Sequence, residues 1–227
     1  MLPSDSHAGS HGAVPASPKL YHITHVNNVA RIIEAGRLWS DAKRIELGLG
    51  SDSIGMSAIK QRRVDELQVS CYPETRVGQY VPFYFCPRSI MLYILHRGNH
   101  VDIDYRGGQE PIIHLQLDMH ATIVWAESQG EKQWVFTDGN AGARLASFYN
   151  DLRQLSNIDW KAVQASDFRE PSIKEGKQAE FLAYDFVPWA LVEKIGVINQ
   201  MIESRVKSAI QISAHKPQIS VERSWYF

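Results

Sequence analysis

Hydrophobic positions in this chain switch between alternation and helical spacing, and Gly, Pro, Asn and Ser sit where the switches occur. Residues 19–24 alternate as a strand does, with His22 and Thr24 on one face and Tyr21 and Ile23 on the other. Asn27 or Asn28 then caps a helix over residues 29–35, whose buried face is Val29, Ile32 and Ile33 and whose stop is Gly36. From residue 38 to 79 the periodicity dissolves. Within that run 48–53 reads as a loop and 57–67 as a short basic helix or turn; a stretch this irregular inside a compact domain is functional or mobile. Order returns with a strand over 81–85, and Pro87 opens a helix over 88–97. Strands are expected at 112–117, 121–126 and 134–137. A helix is expected at 143–155, with Leu145, Phe148, Tyr149 and Leu152 on one face. A charged loop, 169–176, leads into a strand over 180–187. A short helix (188–194), a strand (196–198), an amphipathic helix (199–212) and a closing strand (218–227) complete the chain. Strands and helices mix without regular alternation or repeats, so the fold class is α+β.

Composition narrows this picture. A chain of 227 residues makes one domain. Residues 1–18 are rich in Ser, His, Gly, Ala and Pro and lack the apolar stretch of a signal peptide. They read as a disordered leader or tag before a single domain over 19–227. No apolar run approaches the roughly 20 residues that span a bilayer. Cys71 and Cys86 show neither paired nor metal-ligand spacing, which suits a reducing cytoplasm. The net charge of −1 gives no global pull toward nucleic acid, so any such binding needs a local basic patch.

Several chemistries drop out. The glycines at 48, 50 and 55 miss the dinucleotide fingerprint, and there is no P-loop and no G-x-S-x-G elbow. His22 and His25 lie three apart on a strand and so face opposite ways, which argues against a zinc site. What remains is His22 with Thr24, a basic patch at Lys60, Arg62 and Arg63, an aromatic run (Tyr80, Phe83, Tyr84, Phe85, Tyr93) with Arg88 among it, and Glu180. Each has two readings. His22 donates to a ribose hydroxyl, or is a core histidine satisfied by a backbone carbonyl. The basic patch recruits phosphates, or is a solvated helix face. The aromatics stack on bases, or are plain core. Glu180 stabilises positive charge developing in a cleft, or is an exposed carboxylate at a strand start.

The segments Tyr21-His22-Ile23-Thr24-His25-Val26-Asn27-Asn28, Ile32-Ile33-Glu34-Ala35-Gly36-Arg37-Leu38, Ile59-Lys60-Gln61-Arg62-Arg63, Val81-Pro82-Phe83-Tyr84-Phe85-Cys86-Pro87-Arg88-Ser89-Ile90-Met91-Leu92-Tyr93 and Gln178-Ala179-Glu180-Phe181-Leu182 together resemble the DarT family. These are the DNA ADP-ribosyltransferase toxins of bacterial DarT–DarG pairs. The resemblance implies an ADP-ribosyltransferase-like fold, with two facing sheets around an NAD cleft. It implies transfer of ADP-ribose from NAD to a base, a thymidine, in single-stranded DNA, with nicotinamide released and no metal needed. The family's catalytic glutamate falls on Glu180. Its arginine falls on Arg62 or Arg63, with Arg62 ranked first. His22 and Thr24 take the first-strand position that contacts NAD, with Asn28, Tyr84 and Met91 near the nucleotide. Lys60, Arg88, Arg169 and Lys174 are the expected DNA contacts, and residues 169–176 the loop that recognises substrate. A macrodomain-type DarG antitoxin as partner, a monomeric state and a cytoplasmic location are implied as well. The competing expectations are a related transferase acting on RNA or protein, and a silent nucleotide-binding module.

Overall fold

The computed structural model describes residues 11–130, 133–143 and 146–227. Eight strands pair in the order β12-β11-β6-β1-β5-β9-β7-β8. They are β1 (Lys19–His25), β5 (Tyr80–Tyr84), β6 (Ile112–Asp118), β7 (Trp134–Thr137), β8 (Phe148–Tyr149), β9 (Glu180–Tyr184), β11 (Lys194–Val197) and β12 (Gln218–Val221). The sheet falls into two halves. β1 pairs with β6 from Lys19↔Asp118 to His25↔Ile112, and β5 pairs with β9 from Tyr80↔Tyr184 to Tyr84↔Glu180. Between β1 and β5, however, the register holds a single pair, Tyr21↔Tyr84. Where the resemblance implies two facing sheets, the eight strands here form one continuous sheet whose halves meet at one rung. Mixed strands and helices bear out the α+β reading.

The core sits between this sheet and helices α1 (Asn28–Ala35), α5 (Met119–Ser128), α6 (Trp160–Gln164) and α8 (Gln200–Ala209). Leu20, Phe83, Leu115, Phe136 and Phe181 from the strands meet Val29, Ile123, Trp160 and Val206 from the helices. Helix α4 (Ile90–Arg97) closes a second cluster through Leu92 and Leu95 against Ile23 and Ile112. Gly36 ends α1 at φ 66°, the left-handed conformation that a glycine adopts without a Cβ penalty.

Sequence periodicity misjudged several elements, each for a physical reason. Residues 121–126 are part of α5, not a strand. Asp118 caps the helix by accepting from Ala121 N (2.9 Å), and Met119, Thr122, Ile123 and Ala126 are buried at helical spacing, which overrides the weak β preference of Thr, Ile, Val and Trp. The helix expected at 143–155 is absent among the described residues, 144 and 145 lying outside them. Phe148–Tyr149 instead pairs with β7, its Tyr149 ring stacked on Phe136 at 5.3 Å, and a 3-10 turn follows over Leu152–Asn157. The strand expected over 180–187 breaks at Asp185 (φ 66°); beyond it β10 (Phe186–Pro188) leaves to pair with β2 (Arg37–Trp39) in a small sheet. In place of the helix expected over 188–194, only a 3-10 turn, Trp189–Leu191, lies between β10 and β11 (Lys194–Val197), and the closing strand stops at Val221 before another such turn, Arg223–Trp225. The expected leader falls partly outside the described residues. In its described part the His11 carbonyl accepts from Lys161 N (3.1 Å) and the Ser17 hydroxyl donates to Asp118 (2.7 Å).

The irregular run 38–79 is ordered despite its lack of periodicity. It contains α2 (Asp41–Glu46), α3 (Ser57–Asp65) and a hairpin of β3 (Gln68–Val69) with β4 (Tyr72–Arg76). Gly78 is what lets α3 lie close to the 3-10 turn Val77–Gln79 that leads into β5: a Cβ there would sit 2.6 Å from Val64 Cγ2 and 2.7 Å from Val64 Cα. No side chain larger than hydrogen fits without pushing the helix away.

Candidate active site

A cleft of about 1020 Å³ opens where the halves of the sheet diverge. Its walls come from β1 (His22, Thr24), α1 (Asn28, Arg31), α2 (Asp41, Arg44), α3 (Ile59, Lys60, Arg63), α4 (Met91, Ile94), β5 (Tyr84) and β9 (Glu180). Glu180 is not the exposed strand-start carboxylate that its position suggests; it is 3% exposed. Its Oε2 accepts from Arg63 Nη2 at 2.7 Å, and its Oε1 from Arg63 Nη1 at 3.4 Å and from Ala141 N at 3.1 Å. A bidentate guanidinium and a backbone N–H thus hold the carboxylate in one orientation. Burial alone would lower the Arg63 pKa, but the charge and hydrogen bonds of Glu180 outweigh it and hold the guanidinium above its ordinary value. Tyr84, opposite Glu180 in the ladder, is pushed well up by burial first and by the Glu180 charge second, so its phenol stays protonated.

The structure separates the two arginines. Arg63 lies four residues after Ile59 on α3, and both face the cleft. Arg62, ranked first from sequence, turns outward: its side chain is 48% exposed and pairs with Glu66 at 3.6 Å. The Ile59–Arg63 spacing was the available signal, since an apolar residue one turn back marks the inward face.

His22 is half-buried, and its Nδ1 is 2.9 Å from the Pro82 carbonyl. A carbonyl only accepts, so Nδ1 carries the proton there. Burial lowers the His22 pKa, and the neutral ring leaves Nε2 as an acceptor, so His22 would receive a hydroxyl's hydrogen rather than donate one. Thr24 and Asn28 are linked, Asn28 Nδ2 donating to Thr24 Oγ1 at 3.0 Å. The Asn28 amide also grips Asp52, donating to its carbonyl (3.1 Å) and accepting from its N–H (3.0 Å), which occupies the side chain in holding the loop. Arg44 donates to the Ser51 hydroxyl and Lys60 to that of Ser53 (3.0 Å), so three helices pin consecutive residues of one strap along the cleft. Burial lowers the Lys60 pKa, against the pull of Asp41 3.7 Å away.

The other expected DNA contacts lie elsewhere. Arg88 sits over the Phe227 ring at 4.4 Å and is not part of the cleft wall. Arg169 is 91% exposed and paired with Asp167, and Lys174 is exposed on α7 (Pro171–Gly176), a short helix where a loop was expected. Sequence reading missed Thr137, Asn140, Ala141 and Gln178. Thr137 Oγ1 accepts from Glu180 N (3.0 Å), and Asn140 donates to Gln178 Oε1 (3.1 Å). Among the described residues no three His, Cys, Asp or Glu side chains gather as a metal site, and no helix is long and apolar enough to cross a membrane.

The family described as "ssDNA thymidine ADP-ribosyltransferase, DarT" matches residues 21–227. The chain belongs to the DarT family. A DNA ADP-ribosyl transferase of Thermus aquaticus is 37% identical over 217 residues, spanning 95% of this chain and 91% of the relative. DarT of Thermus sp. 2.9 in complex with ADP-ribosylated ssDNA superposes with a TM-score of 0.85 at 34% identity, covering 96% of this chain and all of the other. The same DarT with NAD+ gives 0.79 at 33% identity. A fusion of DNA ADP-ribosyl transferase and DNA ADP-ribosyl glycohydrolase from Thermosipho africanus is 23% identical over 92% of this chain and 46% of its own length.

Proposed function

We propose that this DarT-family transferase uses Glu180 and Arg63 together to move ADP-ribose from NAD to a thymidine in single-stranded DNA. The observation that carries this reading is the bidentate, nearly dry Arg63–Glu180 pair on the wall of the large cleft. A volume of about 1020 Å³ suits a dinucleotide, because ligand clefts run to roughly 1,000 Å³. NAD supplies the ADP-ribosyl group, its ribose–nicotinamide bond breaking as positive charge develops on the ribose. Glu180 meets that charge with a carboxylate already fixed in place, and one such preorganised group is worth about 10²–10³ in rate. Arg63 has five N–H donors and commits two to Glu180, which leaves donors for phosphate or for the acceptor base. A cation beside the thymine imide favours loss of its proton, which passes to solvent as the imide nitrogen forms the new bond. His22, Thr24, Tyr84 and Met91 shape the nucleotide site, and Asn28 acts by holding the strap. Lys60 serves the strand from within the cleft, whereas Arg88, Arg169 and Lys174 reach it only outside.

A partner of the DarG macrodomain type would remove the modification. The Thermosipho relative, which carries transferase and glycohydrolase in one chain, supports that pairing. Action on DNA by a single small domain fits a monomer in the cytoplasm. The test is mass spectrometry of a thymine-containing oligonucleotide after incubation with NAD. One ADP-ribose on a thymine of the single strand, and none on the matched duplex, is expected, because extruding a paired base costs a few kcal/mol. Transfer only to RNA or protein would reject the reading.

A further inference from the structure

Glu180 is held at its carboxylate by Arg63 and Ala141, and at its backbone by Thr137, which does not line the cleft. The β7–β9 ladder runs from Trp134↔Ala183 to Phe136↔Phe181 and stops one residue short of Glu180. In place of the next rung, the fully buried Thr137 hydroxyl accepts from Glu180 N at 3.0 Å and donates to the Gly139 carbonyl at 2.6 Å. That second bond fixes the turn that carries Ala141, whose N–H lies 3.1 Å from Glu180 Oε1. One hydroxyl therefore sets both the root of the glutamate and the loop that orients its tip.

We propose that Thr137 is a positioning residue for the transfer reaction, acting through Glu180 by fixing its backbone and the Ala141 N–H donor together. This rests on the reading of Glu180 as the reacting carboxylate. A hydroxyl is needed because the site wants an acceptor and a donor on one atom. Valine would keep the shape and the burial but leave Glu180 N–H and the Gly139 carbonyl without this partner. Serine would keep both bonds.

The experiment compares Thr137→Val, Thr137→Ser and Glu180→Gln on a thymine oligonucleotide with NAD. Thr137→Val should lose about 10–100-fold in kcat, as misplacements of an ångström do, while its KM for NAD stays within about 3-fold. Thr137→Ser should recover kcat to within about 3-fold. A purely structural role predicts instead that kcat follows the folded fraction, measured by circular dichroism, and that KM drifts with it. Should Thr137→Val fail to fold, Thr137→Cys takes its place, since a thiol of similar size bonds more weakly; reduced kcat with unchanged NAD affinity supports the proposal, and wild-type kcat ends it. An active Glu180→Gln would remove the functional reading itself. An inactive Glu180→Gln beside a fully active Thr137→Val removes the positioning role alone.

Discussion

Two arginine–carboxylate pairs in this molecule are similar in length and opposite in consequence. Arg63 meets Glu180 at 2.7 Å, and Arg169 meets Asp167 at 2.5 Å. The first pair has side chains 16% and 4% exposed, the second 91% and 59%. Distance does not rank them; water does. In the cleft the carboxylate is almost wholly and the guanidinium largely withdrawn from solvent, so removing one leaves its partner without a close counter-charge. On the surface water replaces whichever partner is lost, and such pairs contribute little. Water can thus stand in for either partner of the exposed pair before α7, but not for either partner of the pair at the start of β9.

The contrast breaks first at Glu180. Glu180→Gln keeps the shape but sets an amide N–H against the Arg63 donors, and kcat should fall by about 10²–10³ or more while NAD still binds. Isothermal titration of NAD beside single-turnover kinetics separates the two effects, and near-normal turnover would erase the distinction between the pairs. Next in size, Arg63→Ala leaves a buried carboxylate without its cation and should cost about 3–5 kcal/mol. Arg62→Ala, on the outer face of the same helix, should stay within about 0.5 kcal/mol with activity intact. Urea denaturation of both variants decides it, equal losses counting against the assignment.

A third test uses a buried base. His114 is fully buried, and burial holds its pKa down to about 4 from the ordinary 6.5, against the pull of its hydrogen bond to the Pro87 carbonyl. Between those values the unfolded chain carries a proton that the native one lacks. The His114 contribution to stability is therefore complete above pH 6.5 and declines toward pH 4, by about 1.4 kcal/mol per unit. Urea midpoints at pH 7 and pH 5 should show this slope in the native chain and a shallower one in His114→Gln. Smallest of all, Asp167→Asn should leave the melting temperature and the activity unchanged, because its pair is open to solvent.

Much of this was written in the local pattern. The strands β1, β5, β7 and β9 and the helices α1, α4 and α8 follow from periodicity, and Glu180 from the motif around it, but α4 begins at Ile90 behind a Ser89 cap rather than at Pro87, and Asn27 caps α1 without a side-chain bond. The misreadings share a cause. In α5 the tertiary burial of Met119, Ile123 and Ala126 outvotes β-branched propensity, and at residues 148–149 pairing to β7 claims aromatics that also fit a helical face. Neither contest can be judged without the partner strand. The support of Glu180 was hidden for the same reason: Ala141 acts through its backbone and Thr137 through a hydroxyl that any core threonine would carry. The order of the two arginines was misread as well: Arg62 was ranked first, although Ile59, which lines the cleft, lies one turn before Arg63.

The single rung between β1 and β5 has a mechanical consequence. Each half of the sheet is paired over several rungs, from β1 to β6 and from β5 to β9, yet the ladder between the halves is Tyr21↔Tyr84, with His22 reaching the Pro82 carbonyl beside it. The molecule resembles a book whose covers are stiff and whose spine is one thread. Flexing along that spine would widen or narrow the space between the covers while every long ladder stayed intact. The amplitude of such breathing would be limited by the core that packs across both halves, where Leu20 and Leu115 share one cluster with Phe83 and Phe181.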